Sequence, residues 1–209
     1  MYIPSNFNEQ RVEVLHGLMR EQPLGTLVTL ATSGLNANHI PFEVDAGVGE
    51  HGVLRAHVAR ANPLWKDYSP DVEALVVFQG AQSYISPSWY PTKEVDGRAV
   101  PTYNYMVVHA YGPLKIIDDA AWVRAQLERL SGQHEGGRKR PWTLDDAPAD
   151  YIEKLQKAII GIEIPISRLS GKWKVSQNQP AVNRAGVVQG LREEGGDAAL
   201  AMAEAVAGR

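Results

Sequence analysis

The chain has 209 residues, 44% of them hydrophobic and 22% charged, with a formal net charge of −3. This size and balance suit one large globular domain, or a core with an appended piece, and give no general attraction to nucleic acid or anionic lipid. The absence of cysteine excludes disulfides, thiolate metal sites and a cysteine nucleophile.

The opening residues, MYIPSNF, lack a basic and apolar leader, and no apolar run reaches the length of a membrane span, so a cytoplasmic protein is expected. Residues 9–22 place Val12, Leu15, Leu18 and Met19 at helical spacing, with Asn8 as a candidate cap and Pro23 as the stop. His16 lies beside that apolar face and reads as a helix residue. Two β-rich runs follow, 25–34 and 35–47, joined at Ser33-Gly34 as a hairpin. Residues 51–59 make a third strand, and the segment to Pro70 carries turn and short-helix signals. The apolar run 72–80 reads as a central strand buried on both faces.

Residues 81–105 crowd Tyr84, Trp89, Tyr90, Tyr103 and Tyr105 among prolines, serines, Lys93 and Asn104. Flat rings beside hydrogen-bonding edges suit either a planar ligand with polar edges or an aromatic hairpin held by cross-strand pairs. A long β run continues from Val100 to Ile117. A helix capped by Asp118 or Asp119 follows, with Trp122, Val123, Leu127 and Leu130 on its apolar face. The basic cluster Arg138, Lys139, Arg140 is offset by nearby acids and reads as a solvated loop. After another short helix, Ile160, Ile162, Ile164 and Ile166 alternate as in a strand running into GKWKVS. The chain closes with two helices around Gly195-Gly196. They imitate a helix-turn-helix, but the second lacks the basic and amide side chains that a recognition helix needs. Many short strands with helices at their margins suggest an antiparallel barrel with peripheral helices.

Three constellations carry candidate chemistry. His39-Ile40-Pro41-Phe42 ends a strand, and a proline there implies an edge or bulge open to an outside group. His57, Arg60, Asn62 and Trp65 lie where a strand gives way to a short helix. An arginine fork at a helix start suits phosphate oxygens, and equally a structural ion pair. In residues 171–179, alternation puts Lys172 and Lys174 on one face and Trp173 on the other, followed by Gln177, Asn178 and Gln179. No nucleophile elbow, HxxxH zinc pair or Rossmann fingerprint is present, so a flavin or nicotinamide would need another architecture.

At these residues the chain resembles the PaiB-type family, the FMN-binding negative transcriptional regulators. The matching features are MYIPSNF, HIPF, AHVARANPLW, FQGAQSYISPSWYPTK, VPTYNYMVVHAYG and GKWKVSQN, in order over residues 1–179. Tyr103 replaces a tryptophan common in the family, and Ala81 a proline. The resemblance implies an antiparallel split β-barrel of the FMN-binding type, mainly β with peripheral helices, over residues 1–179, with a helical extension over 180–209. It implies a homodimer with FMN at the interface. His39, Ile40 and Phe42 would flank the flavin ring. His57 and Arg60 would face the phosphate, with Asn62 fixing the turn and Gln79 reaching a ring or ribityl atom. Trp173, Lys174 and Gln177 would come from the partner. Ser86, Ser88, Tyr90, Lys93, Tyr103 and Asn104 then line the substrate side or the dimer interface.

The family name implies repression of sporulation or protease genes, although nothing in the charge balance supports direct DNA binding. A flavin-dependent oxidoreductase acting on a small substrate is the alternative, and a haem-binding or haem-degrading split barrel is a third.

Overall fold

A computed structural model describes residues 1–208. Among them ten strands and six α-helices form, and the strands divide into open sheets of six and four. Two compact units result. One gathers Met1–Leu18, Gln79–Val108 and the chain from Ser170 on; the other holds Met19–Phe78 and His109–Leu169.

In the first unit, β1 (Asn8–Glu9) pairs with β10 (Arg168–Lys174), Asn8 opposite Lys172. Asn8 is thus a strand residue, and helix α1 (Val12–Glu21) starts after it. The strands continue in the order β1-β10-β7-β6, where β6 is Ala74–Ile85 and β7 is Thr102–Gly112. Residues 87–89 form a 3-10 turn and Lys93–Asp96 a single helical turn, α2, between those long strands. Helices α5 (Ala181–Glu194) and α6 (Asp197–Ala207) complete the unit. Gly186 and Gly190, one turn apart on α5, make room for Trp89. A Cβ on Gly190 would lie 2.4–2.5 Å from three indole atoms, and one on Gly186 2.0 Å from the Trp89 carbonyl oxygen. Thr92 is tied to the buried Asn183 by donations from its N–H and hydroxyl to Asn183 Oδ1, at 3.3 and 3.1 Å.

In the second unit, β2 (Leu24–Ala31) and β3 (Gly34–Pro41) form the expected hairpin, with register Ala31↔Gly34 through Leu24↔Pro41. The left-handed φ of +113° at Gly34 suits glycine at this tight return. β6 lies on the other side of β2, so β3 is an edge strand. The run 35–47 breaks at Pro41. Its continuation, β4 (Glu43–Asp45), joins the second sheet in the order β4-β5-β9-β8, with β5 Val53–Ala59, β8 Lys115–Ile117 and β9 Ile159–Pro165. The register Leu54↔Ile164, Ala56↔Ile162, Val58↔Ile160 puts buried residues side by side on one face. Helix α3 (Ala120–Glu135) covers the other face, and the Trp122 ring rests on Gly161, where a Cβ would be 2.4 Å from the ring. Asp119 is the cap, its Oδ1 accepting from Trp122 N at 2.7 Å. Helix α4 (Ala149–Lys157) follows.

Two expectations change. The apolar run 72–80 is not buried on both faces: Val76 and Phe78 are fully buried while Leu75 and Val77 are half-exposed. The stretch from Ile159 to Ser176 is two strands in two different sheets, separated at Ile166-Ser167.

Candidate functional site

The β2–β3 hairpin sorts its residues by strict alternation. Leu27, Ala31 and Ile40 face the core with Phe42, whose ring meets Phe78 edge-on at 5.8 Å. Gly25 lies under these rings, because a Cβ there would be 3.0 Å or less from Val76, Phe78 and Phe42. The opposite face carries Leu24, Thr26, Val28 and Leu30 on β2, Leu35, Ala37, His39 and Pro41 on β3, and Leu75 and Val77 on β6. It is an apolar face left open: Leu35 is 82% and Leu24 60% exposed. His39 is the imidazole on this face. Ile40 points away from it, and Phe42 is fully buried, so neither side chain stands beside His39.

The turn after β5 is built from side-chain contacts. Asn62 Oδ1 accepts from Leu64 N at 2.9 Å, capping the 3-10 turn Pro63–Trp65, and Asn62 Nδ2 donates to Asn38 Oδ1 at 2.9 Å. Trp65 Nε1 donates to the Arg60 carbonyl at 2.9 Å, and two cations lie over the Trp65 ring, Lys66 Nζ at 4.5 Å and Arg60 Cζ at 5.8 Å. The Arg60 fork is bidentate to Asp118, at 2.6 and 2.9 Å, and also donates to the carbonyls of Lys157 and Ile159. That hydrogen bond holds the Asp118 carboxyl below its ordinary range. A phosphate at Arg60 would compete with Asp118. His57 projects toward α3, where its Nδ1 meets Gln126 Oε1 at 2.8 Å.

The first unit holds a separate polar pocket of about 220 Å³, where Tyr90, Thr102, Asn104, Lys174 and Ser176 converge with Arg98. Lys174 Nζ donates to Thr102 Oγ1 and to the Tyr103 carbonyl. Burial, and then the neighbouring charge of Lys172, pushes the Lys174 ammonium below the usual lysine range. Asn104 is fully buried and donates to Ser176 Oγ at 2.9 Å; Ser176 has a left-handed φ of 62°. Burial also raises the Tyr90 hydroxyl. Three residues expected on the substrate side or at the cofactor, Tyr90, Asn104 and Lys174, thus share one pocket.

The remaining expected residues lie elsewhere in this unit. Tyr103 shows an exposed ring, edge-on to Tyr84 at 5.9 Å. Ser86 and Ser88 bond each other at 2.6 Å, and Ser86 caps the 3-10 turn. Lys93 is an exposed residue at the start of α2. Gln79 donates to Gln82 at 2.8 Å. Gln177 closes its own turn, donating to the Trp173 carbonyl and accepting from Val175 N. Trp173 is buried, and its ring lies 3.1 Å from where a Cβ on Gly171 would stand. Lys172 is buried between the rings of Tyr2 and Tyr105 and donates to the Tyr2 carbonyl.

The profile of the family described as "Putative FMN-binding domain" matches residues 1–168. The chain belongs to the PaiB-type FMN-binding family. It is 30% identical to the protease synthase and sporulation protein PAI 2 of Bacillus subtilis, over 98% of this chain and 95% of that one. It is 36% identical to an uncharacterized protein, AN0679, of Emericella nidulans, over 99% and 96% of the two chains. Among solved structures it superimposes on the conserved hypothetical protein Rv2991 of Mycobacterium tuberculosis with a TM-score of 0.60 and 11% identity, over 86% of this chain and 94% of that one. A FAD and heme binding protein of Mycobacterium smegmatis gives a TM-score of 0.56 at 18% identity, over 80% and 73%. At these identities the structures speak for the fold alone, an antiparallel split barrel that here remains two open sheets.

FMN is the cofactor of the family, and residues of the second unit fit it. The edge strand β3 offers unpaired backbone groups to a polar ring edge, and its outer face offers a flat apolar surface. The turn at 60–66 brings cations for a phosphate. Lys66 was not anticipated from the sequence, although the run RANPLWK placed it one residue after the ring it covers.

Proposed function

We propose that FMN lies along β3 of the second unit, its ring edge on the strand backbone near His39 and its phosphate at the 60–66 turn, at the interface of a homodimer working in the cytoplasm. The observation that carries this reading is the open apolar face of β2 and β3, with Leu35 82% exposed. A second copy seated there would remove that surface from water and exclude water from the flavin. When bound, FMN supplies reversible one- or two-electron transfer. The chain's own residues would orient the ring through the β3 backbone, hold the phosphate with Lys66, and keep the turn in place through Asn62 and Asn38. Ile40 and Phe42 would support β3 from the core side. Titration of the apoprotein with FMN, read by flavin fluorescence quenching, tests the placement. His39→Ala and Lys66→Ala should each weaken binding at least fivefold; unchanged affinity in both would place the flavin elsewhere.

The name of the Bacillus subtilis relative points to protease and sporulation control. We place any such output in metabolism or a partner protein, since α5 and α6 carry Glu193, Glu194, Asp197 and Glu204, and Arg192 is paired with Glu204 at 2.9 Å. Tight, salt-sensitive retardation of DNA by the purified protein would overturn this. A flavin-dependent oxidoreductase is a second reading, favoured by the Tyr90–Asn104–Lys174 pocket, whose lining includes two cations and no acid. NAD(P)H-dependent bleaching of the bound flavin, reversed under anaerobic conditions by a small anionic acceptor, would support it. Reduced flavin that no such compound reoxidises would count against it.

A further inference from the structure

The polar pocket of the first unit holds more hydrogen-bond donors than its own residues use. Its walls come from three stretches: the 3-10 turn that ends at Tyr90, the loop from Arg98 into β7, and the end of β10 with the turn after it. Local contacts hold each of them. Thr92, just past Tyr90, is tied to Asn183, whose Nδ2 also donates to Gln179 Oε1 at 3.2 Å. Asn104 on β7 donates to Ser176 Oγ and so holds the Ser176 side chain, on its left-handed backbone, at the pocket. The Arg98 N–H donates to Asp96 Oδ1 at 2.9 Å, and Asp96 itself is outside the lining.

Tyr90 is only 6% exposed, yet its hydroxyl has no hydrogen-bond partner among the described residues and is not sealed from water. Lys174 spends two of its three N–H groups on Thr102 and the Tyr103 carbonyl, which leaves one. Ser176 accepts from Asn104 and keeps its own O–H to give. Native interiors nearly always pair such groups, and donors gathered without an acid select an anion. Burial and the charge of Lys172 both work against the Lys174 ammonium, and an anion beside it would offset both. The number of charges also matters. Arg98 is exposed and solvated, so Lys174 is the one half-buried cation of the lining. A single negative charge balances it, whereas a dianion would bring a second charge out of water without a buried partner. Ala99 and Val100 give the lining its apolar part. These demands together describe a carboxylate on a short apolar stem.

We propose that this pocket binds a short-chain carboxylate, its oxygens received by Lys174, Tyr90 and Ser176, its stem along Ala99 and Val100, and Arg98 at the mouth. The proposal rests on the oxidoreductase reading for what the carboxylate is for, and gives that reading its substrate class. The site shares no residue with β3 or with the 60–66 turn.

Three probes of similar size test it: butanoate, its neutral isostere butanamide, and ethyl phosphate. FMN-loaded protein labelled with 15N is titrated with each at pH 8, without NAD(P)H, while the Ser176 backbone amide and the Asn104 side-chain amide are followed. Butanoate should give a saturable shift of both signals, with butanamide at least tenfold weaker and ethyl phosphate weaker than butanoate. Tyr90→Phe keeps the ring and removes the unpartnered hydroxyl; it should weaken butanoate at least fivefold and leave the flavin content unaltered. Arg98→Gln, at an exposed position, should weaken butanoate at least threefold, and Lys174→Met should abolish binding. No saturable shift at millimolar butanoate overturns the proposal, as does butanamide binding as tightly or ethyl phosphate binding more tightly. Full affinity in both Tyr90→Phe and Arg98→Gln would move the carboxylate elsewhere, and loss of flavin from Arg98→Gln would assign the pocket to FMN itself. Binding and turnover fail separately. A protein that takes butanoate, but whose reduced flavin no carboxylate reoxidises, keeps this site and loses the oxidoreductase reading.

Discussion

The indole of Trp89 lies flat against Gly190, with three ring atoms within 2.5 Å of where a Cβ would be. The aromatic stretch 81–105 is thereby tied to the C-terminal helices, and Trp89 belongs to packing and not to a ligand wall. Gly190→Ala should destabilise by about 1–3 kcal/mol despite alanine's better helix propensity, because overpacking against a held ring outweighs it. Urea denaturation measures this. In a Trp89→Leu background the same substitution should cost much less, and an unchanged cost would mean the contact is not responsible.

Asn62 does two jobs with one amide: its oxygen caps the 3-10 turn and its nitrogen reaches Asn38. Asn62→Ala should lose both, at about 1–2 kcal/mol. Asn62→Asp keeps the cap and should recover roughly half of that. If the two variants unfold at the same urea concentration, the cap contributes nothing; if Asn62→Asp unfolds with the unaltered protein, the bond to Asn38 contributes nothing.

Arg55 bridges Asp45 at 2.7 Å and Glu163 at 3.0 Å, across β4, β5 and β9. The hydrogen bond from Arg55, followed by the backbone N–H of Gly47, holds Asp45 below the usual carboxylate range. A depressed carboxylate contributes stability that is complete above its unfolded pKa, about 4, and is lost as pH falls through the lower folded value. Arg55→Gln should therefore cost about 1–3 kcal/mol at pH 7 and much less at pH 3. Thermal unfolding across pH 3–7 checks the sign. A cost that grows toward low pH would contradict the assignment.

Leu35 stands on the edge strand opposite Leu30, and both are exposed. Leu35→Glu should leave the fold of the single chain intact while placing like charges on the proposed two-fold interface. Light scattering should then report the proposed dimer for the unaltered protein and a monomer for the variant, with FMN affinity falling at least tenfold. A dimer that persists in the variant would move the interface to another surface.

Sequence periodicity alone determined the elements whose residues answer to local rules. The alternation of Ile160, Ile162 and Ile164 makes β9, the spacing of Leu15 and Leu18 makes α1, the aspartates at 118 and 119 mark the start of α3, and Ser33-Gly34 closes the β2–β3 hairpin. The ordered motifs also brought the family and its cofactor into view, since they depend on residue identity and not on shape. Tertiary structure decided which neighbour satisfies each polar group. Arginine suits phosphate and carboxylate equally, and only the fold brings Asp118 to the Arg60 fork. Alternation separates His39 from Ile40, but the partner strand determines which of them meets the core. Lys172 and Lys174 share a face of one strand, yet Tyr2 and Tyr105 enclose the first while Thr102 and the Tyr103 carbonyl receive the second. Period and propensity act within a few residues, whereas pairing of charges and donors is settled by segments distant in the chain, and those meet only in the folded protein.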